Sequence, residues 1–212
     1  MVSTYWKIKT YLIISFLLFG IQKETAQVLI GPTIGLNWGA FSIGNLIGAS
    51  TKSSLGPSFG AIVEIPMIPL LSIRVEPSYI QKGSDVYFPD LGGPDILKER
   101  NQYFQVPVEL KIDLPVAVFS PHVLIGPNLG YLLSAKEGTN QSGGIDLDNK
   151  SRFKDLDCAL DFGAGLEYSI APLIRATLDY KYSLGLLNIE KDNVYPTHTR
   201  GIQIFASALF SI

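Results

Sequence analysis

The sequence is short of the residues that most chemistry needs. It has one cysteine, Cys158, so no disulfide can form within the chain. Asp155, Asp157 and Asp161 stand beside it, the opposite of the electropositive setting that activates a thiol. Cys158 therefore reads as a small apolar residue. Of the two histidines, His122 is expected beside a short periplasmic turn and His198 in the last long loop, at opposite ends of the barrel, so no shared metal site is expected. The stretch GGIDLDN (143–149) lacks the spacing of a calcium loop. No cofactor is expected.

Basic charge is also scarce. The formal net charge is −2, and removal of residues 1–26 would take away Lys7, Lys9 and Lys23 against one acid, Glu24. Such a surface does not attract nucleic acid. Beyond Gln27 no run of apolar residues is long enough for a transmembrane helix. Yet 47% of the residues are hydrophobic, which sets the chain apart from disordered sequences. The 212 residues suffice for one domain after export processing.

Residues 1–26 have the tripartite form of a secretory signal. Lys7 and Lys9 precede an apolar run from Thr10 to Ile21, and a more polar stretch ends at Ala26. The run is too short to cross a bilayer as a helix. Cleavage is expected after Ala26, with Gly20 as the alternative, which leaves 27–212 as a single barrel domain.

Period-two alternation explains how a chain can be apolar without apolar runs. A transmembrane strand needs only about 9–11 residues with one face toward lipid. Eight segments fit: 27–39, 57–65, 70–82, 101–114, 122–133, 157–170, 173–187 and 200–212. On the first, Ile30, Ile34, Leu36 and Trp38 share one face, and Gly31, Thr33, Gly35 and Asn37 share the other. On the fourth, Phe104, Val106, Val108, Leu110 and Ile112 alternate with Gln105, Glu109, Lys111 and Asp113. Pro32, Pro77, Pro107 and Pro127 should weaken the ladder locally.

The connections alternate long and short. Residues 40–56, 83–100, 134–156 and 188–199 are long, and the links at 66–69, 115–121 and 171–172 are short. Outer-membrane barrels place long loops outside and short turns in the periplasm, and an even strand count returns both termini to the same side. The expected fold is all-β: an eight-stranded antiparallel up-and-down transmembrane barrel. Closure satisfies every backbone group in lipid and leaves no edge.

Glu64, Arg74, Glu76, Glu109, Lys111, Asp161, Glu167, Arg175, Asp179 and Lys181 all fall on the polar face. In so narrow a barrel that face fills the interior. Unpaired charges there would be costly, so an ionic network is expected, with Arg74 and Arg175 bridging several carboxylates. The aromatic residues Trp38, Phe41, Tyr79, Tyr103, Phe104, Tyr131, Tyr168, Tyr182 and Phe210 lie near strand ends, where interfacial girdles would put them.

Several stretches together resemble the PorT-like outer-membrane β-barrel family common in Bacteroidetes. They are GPTIGLNWG (31–39), FGAIVEIPMIPLLSIRVEPSYIQKG (59–83), YFQVPVELKI (103–112), HVLIGPNLGYLL (122–133), DFGAGLEYSI (161–170) and YKYSLGLLNI (180–189). The resemblance implies a Gram-negative outer-membrane barrel and carries no set of catalytic residues. The expected role is non-enzymatic: structural, adhesive, or accessory to secretion or envelope assembly. The expected contacts are outer-membrane lipid and a protein partner at loops 40–56, 83–100 and 134–156. The alternatives are a soluble periplasmic ligand-binding barrel, a solute transporter, and a lipid-modifying enzyme built on His198 with Ser183 or Ser207.

Overall fold

The structure is a computed structural model that describes residues 27–44, 50–88, 95–114, 119–139, 147–192 and 196–212. The expected export signal lies outside the described residues.

The strands are β1 (Leu29–Ile43), β2 (Ser50–Ile68), β3 (Leu71–Val75), β4 (Ser78–Phe88), β5 (Asp95–Asp113), β6 (Phe119–Thr139), β7 (Leu147–Asp148), β8 (Leu156–Ala171), β9 (Ile174–Gly185) and β10 (Thr197–Ser211). All pairings are antiparallel, and each main strand pairs with its neighbours in sequence. β1 pairs with β2 on one side and with β10 on the other, so the sheet closes. β3 and β4 form one stave interrupted at Glu76–Pro77. Both pair with β2 and β5, and β7 is a short addition to β6. The wall is therefore an eight-stave up-and-down barrel.

Proline explains the interruption. Pro77 has no N–H to give to the ladder. Its carbonyl still accepts from the Ala61 N–H at 3.0 Å, and the Glu76 N–H donates to the Pro107 carbonyl at 3.1 Å, which bridges the gap. Pro32, Pro107 and Pro127 lie within strands that continue through them.

The side chains sort as in a membrane barrel. Along β1, Ile30, Ile34, Leu36 and Trp38 are exposed on the outside while Thr33 and Asn37 are buried inside. Every main strand keeps this alternation, because lipid-facing and lumen-facing positions are two residues apart. Aromatic residues lie side by side on the outer wall: Phe59 pairs with Tyr79, Tyr79 with Phe104, and Phe104 with Tyr131. The first pair stacks with ring centroids 4.9 Å apart.

Two features differ from the sequence reading. At the long-loop end the strands run further than expected: 50–56, 95–100 and 134–139 are strand rather than loop. The ladder continues there through mostly polar residues, with Leu55, Ile96, Leu97 and Ala135 scattered among them, so the alternation that marks a strand in sequence fades. Phe41 and Tyr103 also leave the expected girdle. Both point into the lumen, where they are buried.

Candidate functional site

The interior is the place where this fold concentrates charge. Its centre is Arg74 on β3. Nη1 donates to Asp179 Oδ2 at 2.7 Å, and Nη2 donates to Glu64 Oε2 at 3.0 Å. Lys111 joins Glu64 (2.9 Å) to Glu167 (2.6 Å) and also meets Asp113 at 3.1 Å. Arg175 closes that branch on Glu167 at 2.9 Å. Lys181 holds Glu76 at 2.7 Å and Glu109 at 2.9 Å. Asp161 accepts from Asn128 Nδ2 at 2.7 Å. The structure thus brings all ten residues to the lumen. Nine are buried, and Arg175 stands half-exposed at the short-turn end.

Alternation selects these positions, and strand pairing sets their partners. Glu64 faces Arg74 directly across β2–β3, and Arg74 faces Glu109 across β3–β5. The Arg74–Asp179 and Lys181–Glu76 bonds instead cross the lumen between distant strands. Unpaired, any of these charges would be costly in such a site.

Other members join the network without having been expected there. His122 on β6 lies in the lumen, not at a turn, and its Nε2 is 2.7 Å from Asp179 Oδ1. Lys82 donates to Asp157 Oδ2 at 3.0 Å, and Thr199 donates to the same oxygen at 2.9 Å. Their inward register was visible in the alternation, but partners across the lumen are not written in any one strand.

Above this level the lumen turns apolar. Phe41, Ile80, Tyr103, Leu132, Ala135, Phe153 and Ile189 form one buried cluster. Phe153 and Ile189 come from the β7–β8 and β9–β10 connections, which tie to each other over the barrel mouth. The Lys154 N–H donates to the Ile189 carbonyl at 2.7 Å, and the Lys191 N–H to the Arg152 carbonyl at 3.0 Å. Arg152 seals the rim through Glu99 at 2.8 Å and through Glu190. Glu99 lies on β5 beyond the lipid-facing stretch. Its carboxyl is raised above the usual range mainly by burial, opposed by Arg152 and reinforced by Glu190 and Glu137. A smaller apolar group, Leu29, Ile62 and Leu209, lies toward the other end.

Among the described residues the lumen thus holds an ionic level and an apolar level, and apolar residues cover the outer wall. The model of the outer membrane protein beta-barrel domain family matches residues 22–190. The chain belongs to that family. It is an outer-membrane barrel embedded in membrane lipid.

Solved structures with the same fold include Neisserial surface protein A, at 15% identity and a TM-score of 0.51, covering 86% of this chain and 97% of that one. The outer membrane protein OprG from Pseudomonas aeruginosa is 10% identical with a TM-score of 0.56, covering 88% and 96%. No curated protein matches the chain by sequence.

The residues of the enzymatic alternative do not converge in this outer-membrane barrel. Ser183 and Ser207 point into the lumen, and Ser207 Oγ donates to Thr33 Oγ1 at 2.9 Å. His198 lies on β10, on the opposite face from these serines, beside Ser42 in the ladder. Among the described residues, no group of three or more histidine, cysteine or acidic residues could hold a metal ion.

Proposed function

We propose that this outer-membrane barrel is a closed, non-conducting and non-enzymatic anchor that presents its long loops outside the cell. The observation that carries the reading is the double obstruction of the lumen. An ionic network built on Arg74, Lys111 and Lys181 is followed by an apolar stopper built on Phe153 and Ile189. A solute would have to break several buried ion pairs and then displace aromatic side chains. The ten charged residues named from the sequence act here as structural filling.

What remains for function is the outer surface. The segments 40–56, 83–100 and 134–156, which are the strand extensions of the long-loop end and the connections they carry, would meet a partner in adhesion, envelope assembly or secretion. The likeness of the strand motifs to the PorT-like family supports the secretion or envelope role. The short-turn end faces the periplasm in this reading, and residues 1–26 direct export and are then removed.

The test is conductance. The barrel purified in detergent and inserted into a planar bilayer gives no steady single-channel level at either polarity. A stable, ion-selective open level overturns the reading and makes the charged lumen a pathway.

A further inference from the structure

The short-turn end of the barrel is built unlike a surface that meets water. The end of β2 and its turn to β3 read Pro66-Met67-Ile68-Pro69-Leu70, with Met67 57% and Ile68 62% exposed. Leu173 in the β8–β9 turn is 56% exposed, and Ile212 at the last strand is 74% exposed. Leu114, Phe119 and Ile170 continue the same apolar rim. The charged residues described at this end, Asp113 and Arg175, belong to inward-facing positions and are held by Lys111 and Glu167. The other end differs: Lys52, Lys136, Lys154, Lys191 and Arg200 are all exposed there.

We propose that this rim does not project into the periplasm but is seated among the phospholipid acyl chains of the adjoining leaflet. Three observations carry the inference beyond the apolar composition.

The first is backbone satisfaction. In hydrocarbon, each unpaired N–H or C=O costs several kcal/mol, so immersed turns must bond internally. Leu70, Leu173, Pro121 and Val28 offer carbonyls here, and each is taken. They accept from the N–H groups of Asp113 (2.9 Å), Ser211 (3.0 Å), Leu114 (2.8 Å) and Ile212 (3.0 Å). Pro66, Pro69, Pro121 and Pro172 supply no N–H that would need a partner.

The second is Leu70. Its φ is 72°, in the left-handed region that glycine or asparagine occupies at low cost in a water-facing turn. A leucine there costs about 1–2 kcal/mol of backbone strain. Contact of its side chain with lipid offsets that cost, whereas exposure to water would add to it.

The third is height. On β10 the outward face is apolar from Ile202 to Ile212, directly below the exposed Arg200. At the usual rise and tilt this stretch spans about 25 Å. The apolar band of such barrels is also ~25 Å tall. The rim is continuous with the lipid-facing wall, so the same solvent covers both.

The test uses tryptophan as a depth probe. In a full-length chain with Trp6 and Trp38 replaced by phenylalanine, Met67→Trp and Leu173→Trp report on two different turns, and Lys136→Trp reports on the opposite end. Each is refolded into phosphatidylcholine vesicles, and folding is checked by heat-modifiable gel mobility. The two turn probes should be quenched by phospholipids brominated on the acyl chain. Their acrylamide quenching constants should be several-fold below that of Lys136→Trp. Acrylamide quenching equal to that of Lys136→Trp, with no response to brominated lipid, overturns the inference and places the rim in water, open to a soluble partner. Because the probes sit on separate turns, misfolding of one variant leaves the other to decide.

Discussion

His122 and Asp179 meet at 2.7 Å across a strand that separates them. His122 lies on β6 and Asp179 on β9, and β8 runs between them with Gly165 paired to both. Strands two apart in a sheet are roughly 10 Å from each other, so both side chains must lean over the intervening backbone. Only a residue without a side chain permits that. A Cβ at position 165 would lie inside contact distance of both Asp179 Oδ1 and His122 Nε2.

Gly165→Ala should therefore separate the pair and leave Asp179 with fewer partners. The expected loss is about 2 kcal/mol, the usual cost of leaving a buried polar group unsatisfied. Gly130→Ala supplies the contrast on the neighbouring strand. The nearest atom to its new Cβ would be 3.4 Å away, so the change should be nearly neutral. Urea midpoints of the two variants in the same lipid, compared with the parent protein, measure the difference.

The wall was legible in the sequence because each strand samples two solvents, lipid on one side and the packed lumen on the other. Polar residues such as Glu109 and Lys111 then alternate with Val108 and Leu110, and the period of two survives intact. The stopper was harder to read. Tyr79-Ile80, Tyr103-Phe104 and Tyr131-Leu132-Leu133 break the alternation because the barrel is apolar inside as well as outside at that level. Those doublets were the available signal. The ring contact of Phe41 with Phe153, and the link between the two connections that carry Phe153 and Ile189, arise only after closure. No local pattern encodes them. His122 is the first residue of the strand that the alternation indicates, beside a turn, whereas the strand itself begins earlier, at Phe119.

Arg74 neutralises two carboxylates on opposite sides of the lumen. Arg74→Met should cost about 3–5 kcal/mol, because Glu64 and Asp179 lose their shared counter-charge in a dry setting. Adding Glu64→Gln and Asp179→Asn should recover much of that loss. Equal stability of the single and triple variants in equilibrium unfolding would show that the network carries no such coupling.

The outer cap should respond to pH in a defined direction. Glu99 has its folded value raised above the ordinary 4.5. A raised acid binds more protons folded than unfolded, so its contribution to stability falls as pH rises from about 4.5 through the raised value. Glu99→Gln removes that dependence. Relative to the parent, the variant should gain in thermal midpoint as pH is raised over this window, and the gap should close again toward pH 4. A gap that is constant with pH would show that Glu99 is not the titrating group.

The wall closes between its first and last staves and holds the charges inside. Thr33 on β1 faces Ser207 on β10, with the two hydroxyl oxygens 2.9 Å apart in the lumen. In a Cys158→Ser background, Thr33→Cys with Ser207→Cys should oxidise to a disulfide in the folded barrel. The linked chain should then migrate as a closed loop on denaturing gels until it is reduced. Free thiols that react fully with a water-soluble maleimide in the folded, lipid-embedded protein would mean that β1 and β10 do not meet, and would contradict the closed barrel.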